Sequence, residues 1–213
     1  MEVLAPLANP SKILAIGLNY ADHAPESGIT PPELPIFFAK TPNTIVGPND
    51  PIVYRTADST QVDYEAELAV VIGRRARDVS DDETLAYVLG YTAANDESAR
   101  DAQFADGQWI RGKSYDTFLP LGPAIVTSDE IRDVQSLKVT CIVNGEVLQD
   151  GTTKEMIHSV AFSVSYASRF MTLEPGDLIL TGTPHGVGFA RNPAIFLIDR
   201  DVVEVEVEGV GVL

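Results

Sequence analysis

The stretch Gln61-Val62-Asp63-Tyr64-Glu65-Ala66-Glu67-Leu68-Ala69-Val70-Val71-Ile72-Gly73 decides how this chain is read. Val62, Tyr64, Ala66 and Leu68 alternate with Asp63, Glu65, Glu67 and Ala69, the two-residue period of a strand. Leu68 to Gly73 is apolar without alternation, which places the second half in a deep core. Glu65 and Glu67 share one face, roughly 6.6 Å apart at ~3.3 Å per residue. Two adjacent carboxylates repel, so they form either a solvated face or a pair around a cation. The apolar continuation points to the covered setting.

Outward from this strand the pattern stays β-rich. Lys12 to Leu18 reads as a buried strand and Ile36 to Ala39 as a short apolar strand, with a loop or short helix over Asn19 to Gly28 between them. Pro42 to Pro51, with three prolines, reads as a connection. Ser80-Asp81-Asp82-Glu83 has the capping-box pattern and predicts a helix ended by Gly90. Tyr91 to Ala94 predicts a strand, and Glu97 to Phe104 one or two helical turns. Leu137 to Gln149 predicts a hairpin turning at Asn144-Gly145, a pair that tolerates positive φ. Lys154 to Leu173 predicts the longest helix, with Ile157, Val160, Ala161, Val164 and Phe170 inward and His158 on a helix face. Asp177 to Thr181 is a strand. Val203, Val205 and Val207 alternate with Glu204, Glu206 and Glu208, which predicts a last strand with one wet face. The fold class is α+β, mostly β, and not a doubly wound sheet. The 213 residues form a single domain, 1–213, in which 1–35 is a short N-terminal segment.

Composition excludes several functions. Acids outnumber bases 31 to 15, a net charge of −16, and such a field repels nucleic acid. No apolar run approaches the ~20 residues of a membrane helix, so no membrane partner is expected. The start carries no basic region, so no signal peptide is expected. The single cysteine, Cys141, reads as a small core residue and fits a reducing cytoplasm.

Gly107 to Ser114 satisfies a phosphate-loop pattern, but the polar segment before it and the prolines after it supply neither the strand nor the helix that loop needs. Glu155-x-x-His158 is half of a di-iron motif without its second copy. Asp96, after an apolar strand, adds a third carboxylate to Glu65 and Glu67. A hard all-oxygen set without His or Cys selects Mg²⁺, Mn²⁺ or Ca²⁺. The net negative charge then makes local cations necessary to capture an anion, and Arg100, Arg111 and Lys113 lie close in sequence.

Gly17-Leu18-Asn19-Tyr20-Ala21-Asp22-His23, Asp63 to Leu68, Asn95-Asp96-Glu97-Ser98-Ala99-Arg100-Asp101, Gly112 to Phe118 and Thr181-Gly182-Thr183-Pro184-x-Gly186-Val187-Gly188 occur in order over nearly the whole chain. This set resembles the fumarylacetoacetate hydrolase family. The resemblance implies a mixed β-sandwich roll, a homodimer, and a Mg²⁺ or Mn²⁺ ion held by Glu65, Glu67 and Asp96. It implies that Arg100 and Gln103 face the substrate, that Lys113 stabilises developing negative charge, and that Thr183 holds a substrate carboxylate. His23 and Glu26 match a water-activating pair on a mobile lid. Pro25 stands between them, which puts their geometry in question, and Pro31, Pro32 and Pro35 follow. His185 stands where the family more often has a small residue and reads as a partly exposed loop histidine. The implied substrate is a small anionic 2-oxo or 1,3-diketo acid. The expected reaction is C–C hydrolysis of an acylpyruvate or fumarylpyruvate. The alternative is isomerisation or decarboxylation of a 2-hydroxyhepta-2,4-diene-1,7-dioate, or decarboxylation of oxaloacetate.

Overall fold

The computed structural model describes residues 3–26, 28, 30, 33–105 and 107–213; Pro31 and Pro32, named with the expected lid, lie outside them. The elements in chain order are β1 (Ile13–Gly17), α1 (His23–Glu26), β2 (Ile36–Lys40), β3 (Ile45–Val46), β4 (Val62–Asp63), β5 (Ala66–Ile72), β6 (Val88–Asn95) and β7 (Ser98–Ala99). They continue with α2 (Arg100–Ala105), α3 (Trp109–Lys113), β8 (Leu119–Thr127), β9 (Lys138–Val143), β10 (Glu146–Thr152), α4 (Val160–Phe170), β11 (Leu178–Leu180), β12 (Val203–Val207) and β13 (Gly211–Val212). The fold is the expected mostly-β one, with short helices.

Seven strands form a mixed sheet in the order β2-β1-β11-β5-β6-β8-β3, and four form a second in the order β10-β9-β12-β13. β1 with β11 and β3 with β8 are the parallel pairs of the large sheet. The period of two along β5 divides its side chains. Ala66, Leu68, Val70 and Ile72 join Val139, Cys141, Val143, Val205 and Val207 of the second sheet in one core. Ala69 and Val71 join Ile13, Ala15, Leu178 and Leu180 in a core on the opposite face. β5 is therefore buried on both sides, which explains its unbroken apolar half. Glu67 shares the second face with Ala69 and Val71, so the strand that makes the core also delivers the charge.

The strand expected over Gln61 to Gly73 is broken at Tyr64 and Glu65. β4 leaves the large sheet to pair with β7. Side chains take over the ladder at the break: Asn95 Oδ1 accepts from the Glu65 N–H at 3.0 Å, and Gln149 Oε1 from the Ala66 N–H at 2.9 Å.

Other elements depart from expectation for local reasons. Ser80 to Glu83 do not start an α-helix. The Ser80 hydroxyl bonds the Glu83 side chain instead of capping main chain, and a 3₁₀ turn, Thr84–Tyr87, follows. Gly90 does not end a helix; it lies inside β6, where a Cβ would sit 2.1 Å from the Val126 carbonyl oxygen. The connection Pro42 to Pro51 contains β3, an edge of the large sheet. The long helix begins six residues late, at Val160, because Ser159 caps it by accepting from the Phe162 N–H. His158 therefore precedes the helix rather than lying on it. Val160, Val164 and Ala167 point inward, whereas Phe170 is exposed. The hairpin at Asn144 and Gly145 forms with φ of 53° and 83°. Glu204, Glu206 and Glu208 are exposed and Cys141 is buried, as read from the sequence.

Ser159→Ala removes that cap acceptor. The expected loss is ~1 kcal/mol, seen as a melting temperature lower by about 2–4 °C with the same far-ultraviolet dichroism.

Candidate metal centre and acid–base pair

The centre lies where β5, β6 and α3 converge. One ligand atom each from Glu65, Glu67 and Asp96 falls within 4.8 Å of the others, and all three residues are buried. Three carboxylates at that spacing in a dry interior repel strongly. Cations enclose two of them. Lys113 Nζ bridges Glu65 Oε2 at 2.5 Å and Asp96 Oδ2 at 2.8 Å. Arg100 reaches Glu65 Oε1 at 2.6 Å, and Lys40 reaches Asp96 Oδ1 at 2.6 Å. Glu67 receives the Gly182 N–H at 2.8 Å.

The electrostatics follow from this arrangement. Burial works against the Glu65 charge, but Arg100 and then Lys113 outweigh it and hold the carboxyl at about 2. Glu67 goes the other way: burial, then the charges of Asp96 and Glu65, push it well above the carboxylate range. Metal-free, Glu67 therefore keeps a proton that relieves the excess negative charge of the cluster. A divalent cation is what that excess calls for, and an all-oxygen donor set suits a hard ion of the Mg²⁺, Mn²⁺ and Ca²⁺ kind.

The other expected site residues gather nearby. His23, Phe38, Glu65, Glu67, Arg100, Gln103, Phe104, Trp109, Lys113, Thr183 and Phe189 are among the residues lining one cavity of about 90 Å³. His23 Nδ1 lies 2.7 Å from Glu26 Oε1. Pro25 is the third residue of the single-turn α1, and the pair forms across it. Arg100 donates from Nε to Asp63 at 2.8 Å and from Nη1 to Gln103 at 3.0 Å. The Thr183 hydroxyl donates to the Ala66 carbonyl at 2.9 Å and accepts from Gln149 at 2.8 Å. Arg111, expected among the capturing cations, is exposed and reaches the Ala102 carbonyl.

The glycine-rich turn from Gly182 to Gly188 closes the far side of the site. Its N–H groups at Gly182, Gly186 and Gly188 meet the carboxylates of Glu67, Glu26 and Asp63. They serve the protein's own acids. Sequence reasoning missed Lys40, Asp63, Asn95, Gln149 and Trp109 as parts of this site. Lys40 had one visible signal, a lysine closing the apolar run Ile36 to Ala39.

Known proteins resemble this chain in sequence and in fold. The family model described as fumarylacetoacetate (FAA) hydrolase C-terminal matches residues 12–213. An oxaloacetate tautomerase of Rattus norvegicus, designated mitochondrial, is 47% identical over 211 residues, 99% of this chain and 67% of the relative. The chain thus spans about two thirds of that relative's length. The solved fumarylacetoacetate hydrolase of Exiguobacterium antarcticum superposes with a TM-score of 0.92 at 45% identity, over 99% of this chain and 76% of that one. The 2-hydroxyhepta-2,4-diene-1,7-dioate isomerase of Mycobacterium marinum gives 0.86 at 45% identity, over 99% and 75%.

The raised Glu67 carboxyl couples metal to pH. Unfolded, Glu67 titrates in the ordinary carboxylate range; folded and metal-free, it keeps its proton to much higher pH. Its contribution to stability is therefore full at low pH and is lost as pH rises through that window. A bound cation displaces the proton and removes the loss. The rise in melting temperature on adding Mg²⁺ or Mn²⁺ should grow with pH, and binding should release protons in weakly buffered solution. Equal shifts at every pH, or none, would refute the cluster as a metal centre.

Proposed function

The chain belongs to the fumarylacetoacetate hydrolase family, and from that premise we propose a divalent-metal-dependent enzyme of 2-oxo acids. On this reading it moves a proton at the carbon beside the oxo group, interconverting keto and enol forms. One observation carries the reading: a paired histidine, a buried lysine and two carboxylates of the cluster, Glu65 and Glu67, line the same cavity. Those parts match proton abstraction next to a carbonyl, which needs a base on one side and positive charge on the other.

A divalent ion held by Glu65, Glu67 and Asp96 would supply a Lewis acid for the oxo and carboxylate oxygens of the substrate. In this proposal His23 takes and returns the proton, with Glu26 orienting its ring. Lys113 holds its ammonium toward the oxygen that gains charge, a compact cation suited to that role. Arg100 and Gln103 orient the substrate, and Thr183 holds its carboxylate once its hydroxyl turns from the Ala66 carbonyl. The cavity, about 90 Å³, is small and suits a compact acid. The likeness to oxaloacetate tautomerases supports a small acid of this kind. A homodimer belongs to the same proposal and is checked by sedimentation.

A second reading keeps the site and changes the acceptor. The His23–Glu26 contact also suits activation of water, and C–C hydrolysis of an acylpyruvate or fumarylpyruvate would use it. Isomerisation or decarboxylation of a hydroxydienedioate, as in the name of the Mycobacterium marinum relative, is the remaining branch.

An ultraviolet assay with Mg²⁺ against oxaloacetate, acetylpyruvate, fumarylpyruvate and a hydroxydienedioate separates these branches. The expected result is faster keto–enol exchange of oxaloacetate with unchanged mass. Two acid products would mean hydrolase, and carbon dioxide would mean decarboxylase. Inactivity on all four substrates would overturn the reading. At saturating metal, Lys113→Met should lower kcat by ~10²–10³-fold, the scale of one lost oxyanion donor, and wild-type turnover in it would remove Lys113 from the mechanism.

A further inference from the structure

Two carboxylates tie the α1 segment to the glycine-rich turn. Glu26 accepts the Gly186 N–H at 3.1 and 3.0 Å with its two oxygens. Asp22 Oδ2 lies 2.6 Å from Nδ1 of His185. The first contact uses main chain, whereas the second exists only because position 185 is histidine. The other Asp22 oxygen is buried with no hydrogen-bond partner among the described residues, so without His185 the carboxylate would lose the partner it has.

The turn that receives these contacts is rigid. The Gly186 carbonyl accepts from the Tyr64 hydroxyl and from Arg191 Nε, both at 3.1 Å. Gly186 has φ of +99°, and a Cβ there would stand 2.3 Å from the Leu148 carbonyl oxygen. The α1 segment is slight by comparison. It is a single turn, entered through main-chain bonds from Ala21 to Glu155 and from His23 to Tyr20. Asp22 and Glu26 flank His23, so contacts at both ends fix how that turn is rotated. The His185 ring is half exposed, whereas the His23 ring is almost fully covered.

We infer that His185 is a positioning residue: with Asp22 it fastens the α1 segment to the turn and so sets the His23–Glu26 pair over the carboxylate cluster. The inference rests on the proposed function only for what the pair does, because the docking is a property of the fold.

Amide exchange at Gly186, followed by NMR in the metal-free protein, reads the docking directly. After correction for intrinsic rates, His185→Ala and Asp22→Ala should each speed it about three- to five-fold, the scale of one partly exposed ion pair. The double variant should show no further loss. His185→Gln, which keeps an N–H donor, should restore most of the protection. Melting temperatures should stay together. With Mg²⁺ and oxalate as the probe, emission of Trp109, the single tryptophan, should report faster oxalate release by the same factor with little change in association. Wild-type exchange in both single variants, or losses that add in the double variant, would overturn the inference. A protein that turns over no 2-oxo acid but keeps this exchange pattern would refute the proposed function and leave the fastening intact.

Discussion

Three carboxylates in one dry space are the constraint on which the rest of the structure depends. Glu65, Glu67 and Asp96 are 5%, 1% and 0% exposed, and a like-charge cluster so buried folds only when positive charge comes with it. Lys40 arrives at the end of β2, Arg100 at the start of α2 and Lys113 at the end of α3. Each is itself nearly fully buried, and none would tolerate that burial without the acids. The cluster therefore dictates where two elements end and a third begins. The two-sided core of β5 supplies the apolar burial that offsets the desolvation.

The same constraint produces the chemistry. An enclosed set of charges with one carboxyl pushed up by its neighbours is poised to take a hard cation. The cavity above it is walled by Phe38, Trp109, Phe104 and Phe189, and the guanidinium of Arg100 lies 4.4 Å from the Phe189 ring centre. Aromatic walls keep water scarce, which strengthens every charge interaction inside.

Sequence legibility followed the length scale of each signal. β5 and β12 were legible because alternation and apolar runs are local. The acids were legible as one centre because Glu65 and Glu67 lie two residues apart at the start of an apolar run and Asp96 follows the next strand. The break at Tyr64 and Glu65 was not, since it depends on Asn95 and Gln149, 30 and 83 residues away. The capping box at Ser80 misled because a local pattern says nothing about the strand that begins at Val88. Lys40 was passed over for the same reason: a lysine after Ile36 to Ala39 looks like a strand edge until Asp96 is brought to it. The glycine-rich turn was legible as a motif but not in its contacts, because the acids it meets come from α1, β4 and β5.

That turn and the hairpin tip at Asn144 and Gly145 imply opposite rules for redesigning the chain. Gly182, Gly186 and Gly188 hold acids from three elements at fixed spacing along seven residues. Adding or deleting one residue there would put all three out of register together, and no compensating change at one partner would repair the others. The hairpin tip is exposed and linked chiefly to Asp201 and Val202. Loop length is cheap at such a place. A reporter peptide or a second domain grafted there would leave the carboxylate cluster undisturbed.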